Sequence, residues 1–160
     1  MSGIQLGVVG YGGRISGMIT GPFRQIAPDL QVAGIVDPDE AGVRTRLDQA
    51  PAGRGWARDG GPVVDDVVFY RDLDSMVKGA KIDALAVGTR CNLHTPIAVR
   101  AARHRLPLFL EKPVAVDMRQ ARALESAFEK SKCQVVVSFP LRVSPLCELA
   151  RQYIEEGAVG

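Results

Sequence analysis

Ile4-Gln5-Leu6-Gly7-Val8-Val9-Gly10-Tyr11-Gly12-Gly13-Arg14-Ile15 decides the fold. A short apolar run ends on a glycine and passes into a glycine-rich turn. One glycine lets the chain turn sharply from strand into helix. A second lets backbone approach a pyrophosphate, which rests on helix N–H groups that point outward. The third glycine of the usual fingerprint falls at position 15, where this chain has Ile15. Gly13 and Gly17 are close but out of register. A plain glycine-rich turn is the competing reading of the same residues.

Outward from this stretch, short β-branched runs alternate with longer segments of helical spacing. Val32–Val36, a weaker run at Val67–Tyr70, Leu85–Val87, Leu108–Leu110 and Val135–Phe139 follow Ile4–Val9. Runs that are apolar at successive positions suit strands covered on both faces, as in parallel sheets. Met118, Ala121, Leu124 and Phe128 recur at helical steps behind Asp117, an N-cap candidate. Leu146, Leu149, Ala150, Tyr153 and Ile154 form a second stripe, and Ile97, Ala101 and Ala102 mark a small-residue helix that can lie close to a sheet. The alternation predicts a doubly wound α/β domain with right-handed crossovers. Gly21-Pro22 is expected to break the first helix, because proline lacks the N–H and clashes with the preceding turn. Pro51–Pro62 reads as a loop, with Trp56 either pinning it to the body or stacking on a ligand.

Composition narrows the function classes. The 160 residues are 46% apolar and 24% charged, which suits a globular domain rather than a disordered or fibrous chain. Twenty Lys and Arg against 18 Asp and Glu leave +2, too little to call for nucleic acid or an anionic membrane. Cys91, Cys133 and Cys147 form neither a disulfide framework nor a zinc spacing, so no metal is expected and a reducing, cytoplasmic compartment is. The N-terminal residues lack the pattern of a signal peptide. No apolar run approaches the ~18 residues of a membrane span.

Asp37 ends the second run, 25 positions after Gly12. A carboxylate there accepts hydrogen bonds from an adenosine ribose diol and repels a 2′-phosphate, so NAD is favoured. Arg44 and Arg46 lie near enough in sequence to keep NADP possible, and a turn or capping aspartate is the plainer reading of Asp37. Glu111-Lys112-Pro113 directly follows the fifth run, where ligands of such sheets bind beyond the strand ends. Lys112 can hold a substrate oxygen or relay a proton there, or it is a surface lysine beside a turn proline. Thr89 stands at the next strand end. His94 is structural or catalytic. His104, within Arg103-His104-Arg105, is expected to be solvated, and Cys91 lacks a paired base.

Together these residues resemble the Gfo/Idh/MocA oxidoreductases. The likeness is carried by Gly10-Tyr11-Gly12-Gly13-Arg14, Ile35-Val36-Asp37-Pro38, Asp83-Ala84 leading to Thr89 and His94, and Glu111-Lys112-Pro113. Phe139-Pro140-Leu141-Arg142-Val143-Ser144-Pro145 and Glu156-Gly157-Ala158-Val159-Gly160 complete it. The resemblance implies an NAD(P)-binding Rossmann domain over 1–140, with 141–160 as a helix leading toward a second, substrate-bearing domain that this chain does not include. It implies a dehydrogenase moving hydride between nicotinamide and a hydroxyl carbon of a sugar, cyclitol or related polyol. The implied cofactor-contacting set is Gly10, Tyr11, Gly12, Gly13, Arg14, Ile15, Asp37, Thr89, His94, Glu111 and Lys112. Lys112 is also the implied catalytic residue, Pro113 the proline that is often cis, and Arg142 the residue facing the substrate.

Ile15, Gly21-Pro22 and Arg90-Cys91 depart from the family pattern. Ile15 in place of glycine is expected to hold helix and strand further apart and to weaken pyrophosphate contact. The second domain of such enzymes supplies an Asp and His pair, most of the substrate pocket and the dimer interface, so cofactor binding without full turnover is expected of these 160 residues. Exposed apolar surface on the last helix and at the sheet edge predicts homo-oligomers. A non-catalytic dinucleotide sensor or partner-binding module on the same fold stays open, with a methyltransferase-like domain behind it.

Overall fold

The computed structural model describes residues 3–48 and 67–158. The Pro51–Pro62 stretch and Trp56 lie outside the described residues. Five strands, β1 (Gln5–Val9), β2 (Gln31–Val36), β3 (Ala84–Val87), β4 (Leu108–Leu110) and β5 (Val135–Val137), form one sheet. Its order is β2-β1-β3-β4-β5, and every pairing is parallel. The chain starts in the middle, steps out to β2, returns across β1 to β3 and continues outward. The order therefore reverses between β1 and β3, and the crevice at that point is where such sheets bind ligands.

Alternation along the strands feeds two cores, one on each face. Leu6, Val8, Ile35 and Ala86 pack on one face with Ile15, Ile19 and Val43. Val9, Leu85, Val87, Leu108 and Leu110 pack on the other with Leu73, Met76, Ala98 and Ala101. Burial on both faces is the physical reason the runs are apolar at consecutive positions. The Val67–Tyr70 run contributes a single parallel bridge, Phe69 beside Ile35, rather than a strand. Its backbone is held by Ile35 N–H to Val68 O at 3.0 Å and Tyr70 N–H to Ile35 O at 2.8 Å.

The helices are α1 (Gly13–Met18), α2 (Arg24–Ile26), α3 (Glu40–Asp48), α4 (Leu73–Gly79), α5 (Cys91–Arg103), α6 (Met118–Ser131) and α7 (Pro145–Glu155). The expected break at Gly21-Pro22 does not occur. A π-helical segment, Ile19–Phe23, contains Pro22 and runs directly into α2. Widening to the π pattern takes in a residue that an α ladder rejects. Phe23 from this turn packs edge-on against Phe109 of β4, with ring centroids 4.8 Å apart.

Asp117 caps α6 as its position suggests, accepting Gln120 N–H at 2.7 Å. Leu124 and Phe128 pack toward the core, but Met118, at the first turn, is exposed. The α7 stripe forms a helix whose Leu146, Leu149, Tyr153 and Ile154 are all exposed. Helix α4, which the apolar pattern does not announce, starts from a capping box. Asp72 accepts Ser75 N–H at 2.7 Å, and Ser75 Oγ accepts Asp72 N–H at 3.2 Å.

Candidate functional site

Single backbone bonds extend the sheet one residue past its strands. Gly10 N–H reaches Val36 O at 2.8 Å, Gly88 N–H reaches Val9 O at 3.0 Å, Glu111 N–H reaches Val87 O at 3.0 Å, and Ser138 N–H reaches Leu110 O at 2.9 Å. In sheet order, the residues just beyond the carboxyl edge are Asp37, Tyr11, Thr89, Lys112 and Phe139. The sequence places these residues far apart, and the parallel register lines them up.

Gly10 is required at its position. Its φ is +83°, and a Cβ there would lie 2.7 Å from Thr89 N. The β1 turn and the loop after β3 are therefore in backbone contact. Cβ atoms on Gly12 and Gly13 would meet nothing within 4 Å, so the outer side of the turn is open. Gly12 is the N-cap of α1 with no side-chain cap, and no acidic residue stands in the first turn. The first-turn N–H groups of a helix lack intrahelical partners. The first turn itself carries no carboxylate to neutralise them, which leaves a cradle suited to an anion.

Asp37 ties the end of β2 to the turn after β1. Its Oδ2 accepts Tyr11 N–H at 2.8 Å and its Oδ1 accepts Asp39 N–H at 2.9 Å. The turn role and the ribose role are compatible, because each carboxylate oxygen has a second acceptor site. The nearby cations are engaged: Arg44 pairs with Glu40 at 2.7 Å and lies 4.3 Å over the Phe69 ring. Arg46 stands 3.8 Å from Asp39 and donates to Tyr11 O at 3.5 Å.

Beyond β4, Glu111 is only 5% exposed. Its Oε1 accepts Arg14 Nε at 2.9 Å and its Oε2 accepts Lys112 N–H at 3.3 Å. Arg14 Nη2 also reaches Ser138 Oγ at 3.2 Å. One guanidinium thus ties the β1 turn to the ends of β4 and β5. Lys112 is exposed, and the Lys112-Pro113 peptide is cis. Arg14, Glu111, Lys112, Ser138, Phe139, Pro140, Leu141 and Arg142 line a cleft of about 480 Å³. Arg142, one of these lining residues, has its guanidinium carbon 5.8 Å from the Phe139 ring.

The side chains of Tyr11, Ile15 and His94 pack into the protein. The Tyr11 side chain is buried in the core, and burial pushes its phenol up to about 12 while Arg46 pulls the other way. Ile15 is fully buried. It does not open a gap between helix and strand, because it fills the space where a Gly88 side chain would stand. His94 is 1% exposed. Its ring lies between two backbone carbonyls, Pro113 O at 2.7 Å and Thr89 O at 3.0 Å, so neither nitrogen faces a ligand. His104, expected to be solvated, is half-buried and lies 2.6 Å from Asp74.

Gly88, Ser138 and Thr95 were not singled out from sequence. Gly88 had a signal, since it directly follows the Leu85–Val87 run, and Ser138 had one as the polar residue within the Val135–Phe139 run. Thr95 had none. Among the described residues, no group of three or more His, Cys, Asp or Glu stands together as a metal site. No described helix is long and apolar enough to cross a membrane. All three cysteines are free.

Comparison with known proteins adds to this geometry. Residues 4–139 match a family model described as an oxidoreductase family with an NAD-binding Rossmann fold. Levoglucosan dehydrogenase of Pseudarthrobacter phenanthrenivorans is 33% identical over 89 residues, 56% of this chain and 23% of that enzyme. Inositol 2-dehydrogenase of Corynebacterium glutamicum strain R is 23% identical over 158 residues, 98% of this chain and 42% of that enzyme. The WlbA dehydrogenase of Chromobacterium violaceum, solved with NADH and UDP-GlcNAcA, superposes with a TM-score of 0.75 at 18% identity. That match covers 98% of this chain and 41% of that one. The chain spans less than half the length of these relatives.

Proposed function

The chain belongs to the Gfo/Idh/MocA oxidoreductase family, and on that premise we propose that it is the NAD-binding part of a dehydrogenase acting on a hydroxyl carbon of a sugar, cyclitol or related polyol. The observation that carries this reading is the row Asp37, Tyr11, Thr89 and Lys112 along one carboxyl edge, with an uncapped helix N-terminus beside it. A dinucleotide needs an acceptor for its ribose diol, donors for its pyrophosphate and an edge on which to extend. Asp37 supplies the first, the Gly12–Ile15 amides the second, and the strand ends toward β4 the third.

When bound, a nicotinamide ring supplies the hydride acceptor or donor. This chain's residues supply one wall of the reaction site. Lys112 holds the substrate oxygen at the end of β4 and takes up or returns its proton. Glu111 stays on Arg14 and on the Lys112 N–H and fixes the backbone that carries Lys112. Arg142, in the lining of the same cleft, suits the recognition of substrate hydroxyls. Asp37 disfavours a 2′-phosphate, and Arg44 and Arg46 are held on Glu40 and Asp39, which supports NAD over NADP in this reading.

Residues 141–160 are the connection toward the substrate-bearing region in this reading, and the apolar faces of α7 and β5 are where a further domain or a second copy packs. Free cysteines suit a reducing, cytoplasmic setting. The test is calorimetric titration of the purified chain with NAD and with NADP. NAD is expected to bind well ahead of NADP. A folded chain that binds neither sinks the reading, and one that binds NADP first overturns the role of Asp37.

A further inference from the structure

Two consecutive buried side chains at the start of α5, His94 and Thr95, grip the backbone that follows Lys112. His94 is 1% exposed and Thr95 3%. Thr95 Oγ1 donates to Val114 O at 2.8 Å. His94 Nδ1 lies 2.7 Å from Pro113 O, and its Nε2 lies 3.0 Å from Thr89 O in the neighbouring loop. Carbonyl oxygens accept and never donate, so each ring contact is a bond where that nitrogen carries hydrogen.

Pro113 and Val114 belong to neither strand nor helix, so their carbonyls have no ladder to satisfy them. A buried carbonyl without a partner is costly. The two side chains supply the missing partners and join the loop after β3 to the loop after β4. Neither lines the cleft that Lys112 borders.

We infer that His94 and Thr95 are positioning residues for the nicotinamide half of the site. They fix Thr89 and Lys112 relative to each other without touching the ligand. The inference rests on the dinucleotide reading above. Its consequence is lopsided: the adenosine half, built from the glycine turn and Asp37, hangs on β1 and β2 and has no bond to either residue. Loosening the clamp therefore loosens the grip on a whole dinucleotide and spares the grip on its adenosine diphosphate portion.

The experiment titrates the chain with NADH and, separately, with ADP, using His94→Phe, Thr95→Val and Thr95→Ser. Thr95→Val keeps the side-chain shape and removes one bond, so it carries the test if His94→Phe does not fold. For Thr95→Val, NADH affinity is expected to fall about five- to tenfold, the worth of one lost buried hydrogen bond, with ADP affinity held within about twofold. Thr95→Ser, which keeps the hydroxyl, is expected to restore NADH binding. Equal loss of NADH and ADP affinity in a folded variant reduces the pair to scaffold and overturns the inference, as does unchanged NADH binding. Failure of ADP to bind the unsubstituted chain overturns the dinucleotide reading and the inference together.

Discussion

Ile15 occupies the space that a side chain at Gly88 would need: a Cβ on Gly88 would lie 2.0 Å from Ile15 Cγ1. The third position of the glycine fingerprint ordinarily secures close helix–strand packing through a missing side chain on the helix. Here the missing side chain is on the strand end instead. Gly88→Ala is therefore expected to destabilise the chain by about 1–3 kcal/mol through overpacking. Ile15→Ala alone is expected to cost about 2–5 kcal/mol by opening a cavity. The double variant is expected to cost less than the two added together, since alanine at 88 then enters the vacated space. Urea denaturation of the four proteins measures the coupling, and strict additivity would show that the two positions do not share the space.

Asp37 has two duties that one substitution separates. Its oxygens accept Tyr11 N–H and Asp39 N–H. Asparagine keeps one acceptor and turns an amide group toward the other N–H. Asp37→Asn is expected to lower stability by about 1–3 kcal/mol. It is also expected to weaken NAD binding and narrow the preference over NADP, because the repulsive charge is gone. Chemical denaturation and paired titrations check the two effects independently. A stability loss with the NAD/NADP ratio unmoved would leave Asp37 as a turn residue only.

Lys112 and Glu111 are adjacent but differ in what they support. Lys112 is exposed, while Glu111 is buried beneath Arg14. Lys112→Ala is expected to change stability by less than about 0.5 kcal/mol. Glu111→Ala removes the acceptor of a charge-assisted bond and is expected to cost about 1–3 kcal/mol. It should also release Arg14 from the end of β4. Thermal melts of the two variants decide this, and a larger loss for Lys112→Ala would reverse the assignment of roles.

Acid weakens the start of α4. The Ser75 backbone N–H holds the Asp72 carboxyl below its usual range, and a hydrogen bond from His104 does the same for Asp74. Both values are depressed on folding, so the charged forms favour the folded chain. That contribution is complete above the unfolded carboxylate value of about 3.9 and drains away as pH falls through the folded values. Melting temperature is expected to drop less on acidification in an Asp72→Asn, Asp74→Asn double variant than in the unsubstituted chain. Superimposable acid limbs would remove these two groups from the explanation.

How much of this was legible in the sequence depends on the distance over which each interaction acts. Alternating apolar runs, the glycine turn and the Asp117 cap are local patterns, and each appears in the fold at its expected place except the Val67–Tyr70 run, which gives a single bridge. Register is not local: nothing in the spacing of Tyr11, Thr89 and Lys112 shows that they end adjacent strands. Pro22 misled for the same reason. Its cost in an α ladder is local, while the π turn that relieves it also packs Phe23 on Phe109, 86 positions away. Arg14 and His94 stand in motifs associated with ligands, yet their partners are Glu111, Ser138 and two carbonyls that only the folded chain brings near. Tyr11 likewise sits in the middle of the glycine turn, where sequence offers no sign that its ring turns inward.

Burial of that ring gives a last expected outcome, at the alkaline end. The Tyr11 phenol is raised to about 12, chiefly by its removal from water. A value raised on folding means that the neutral form favours the folded chain. The contribution is whole below the unfolded value of about 10 and is lost as pH climbs through about 12. Tyr11→Phe keeps the ring in the core and abolishes the ionisation. It is expected to remove an ultraviolet tyrosinate step near pH 12 and to flatten the fall of stability above about pH 10. Absorbance titration and denaturation at matched pH measure both. A Tyr11→Phe chain that keeps the late step, or loses stability on the same alkaline slope, would place the phenol in water and not in the core.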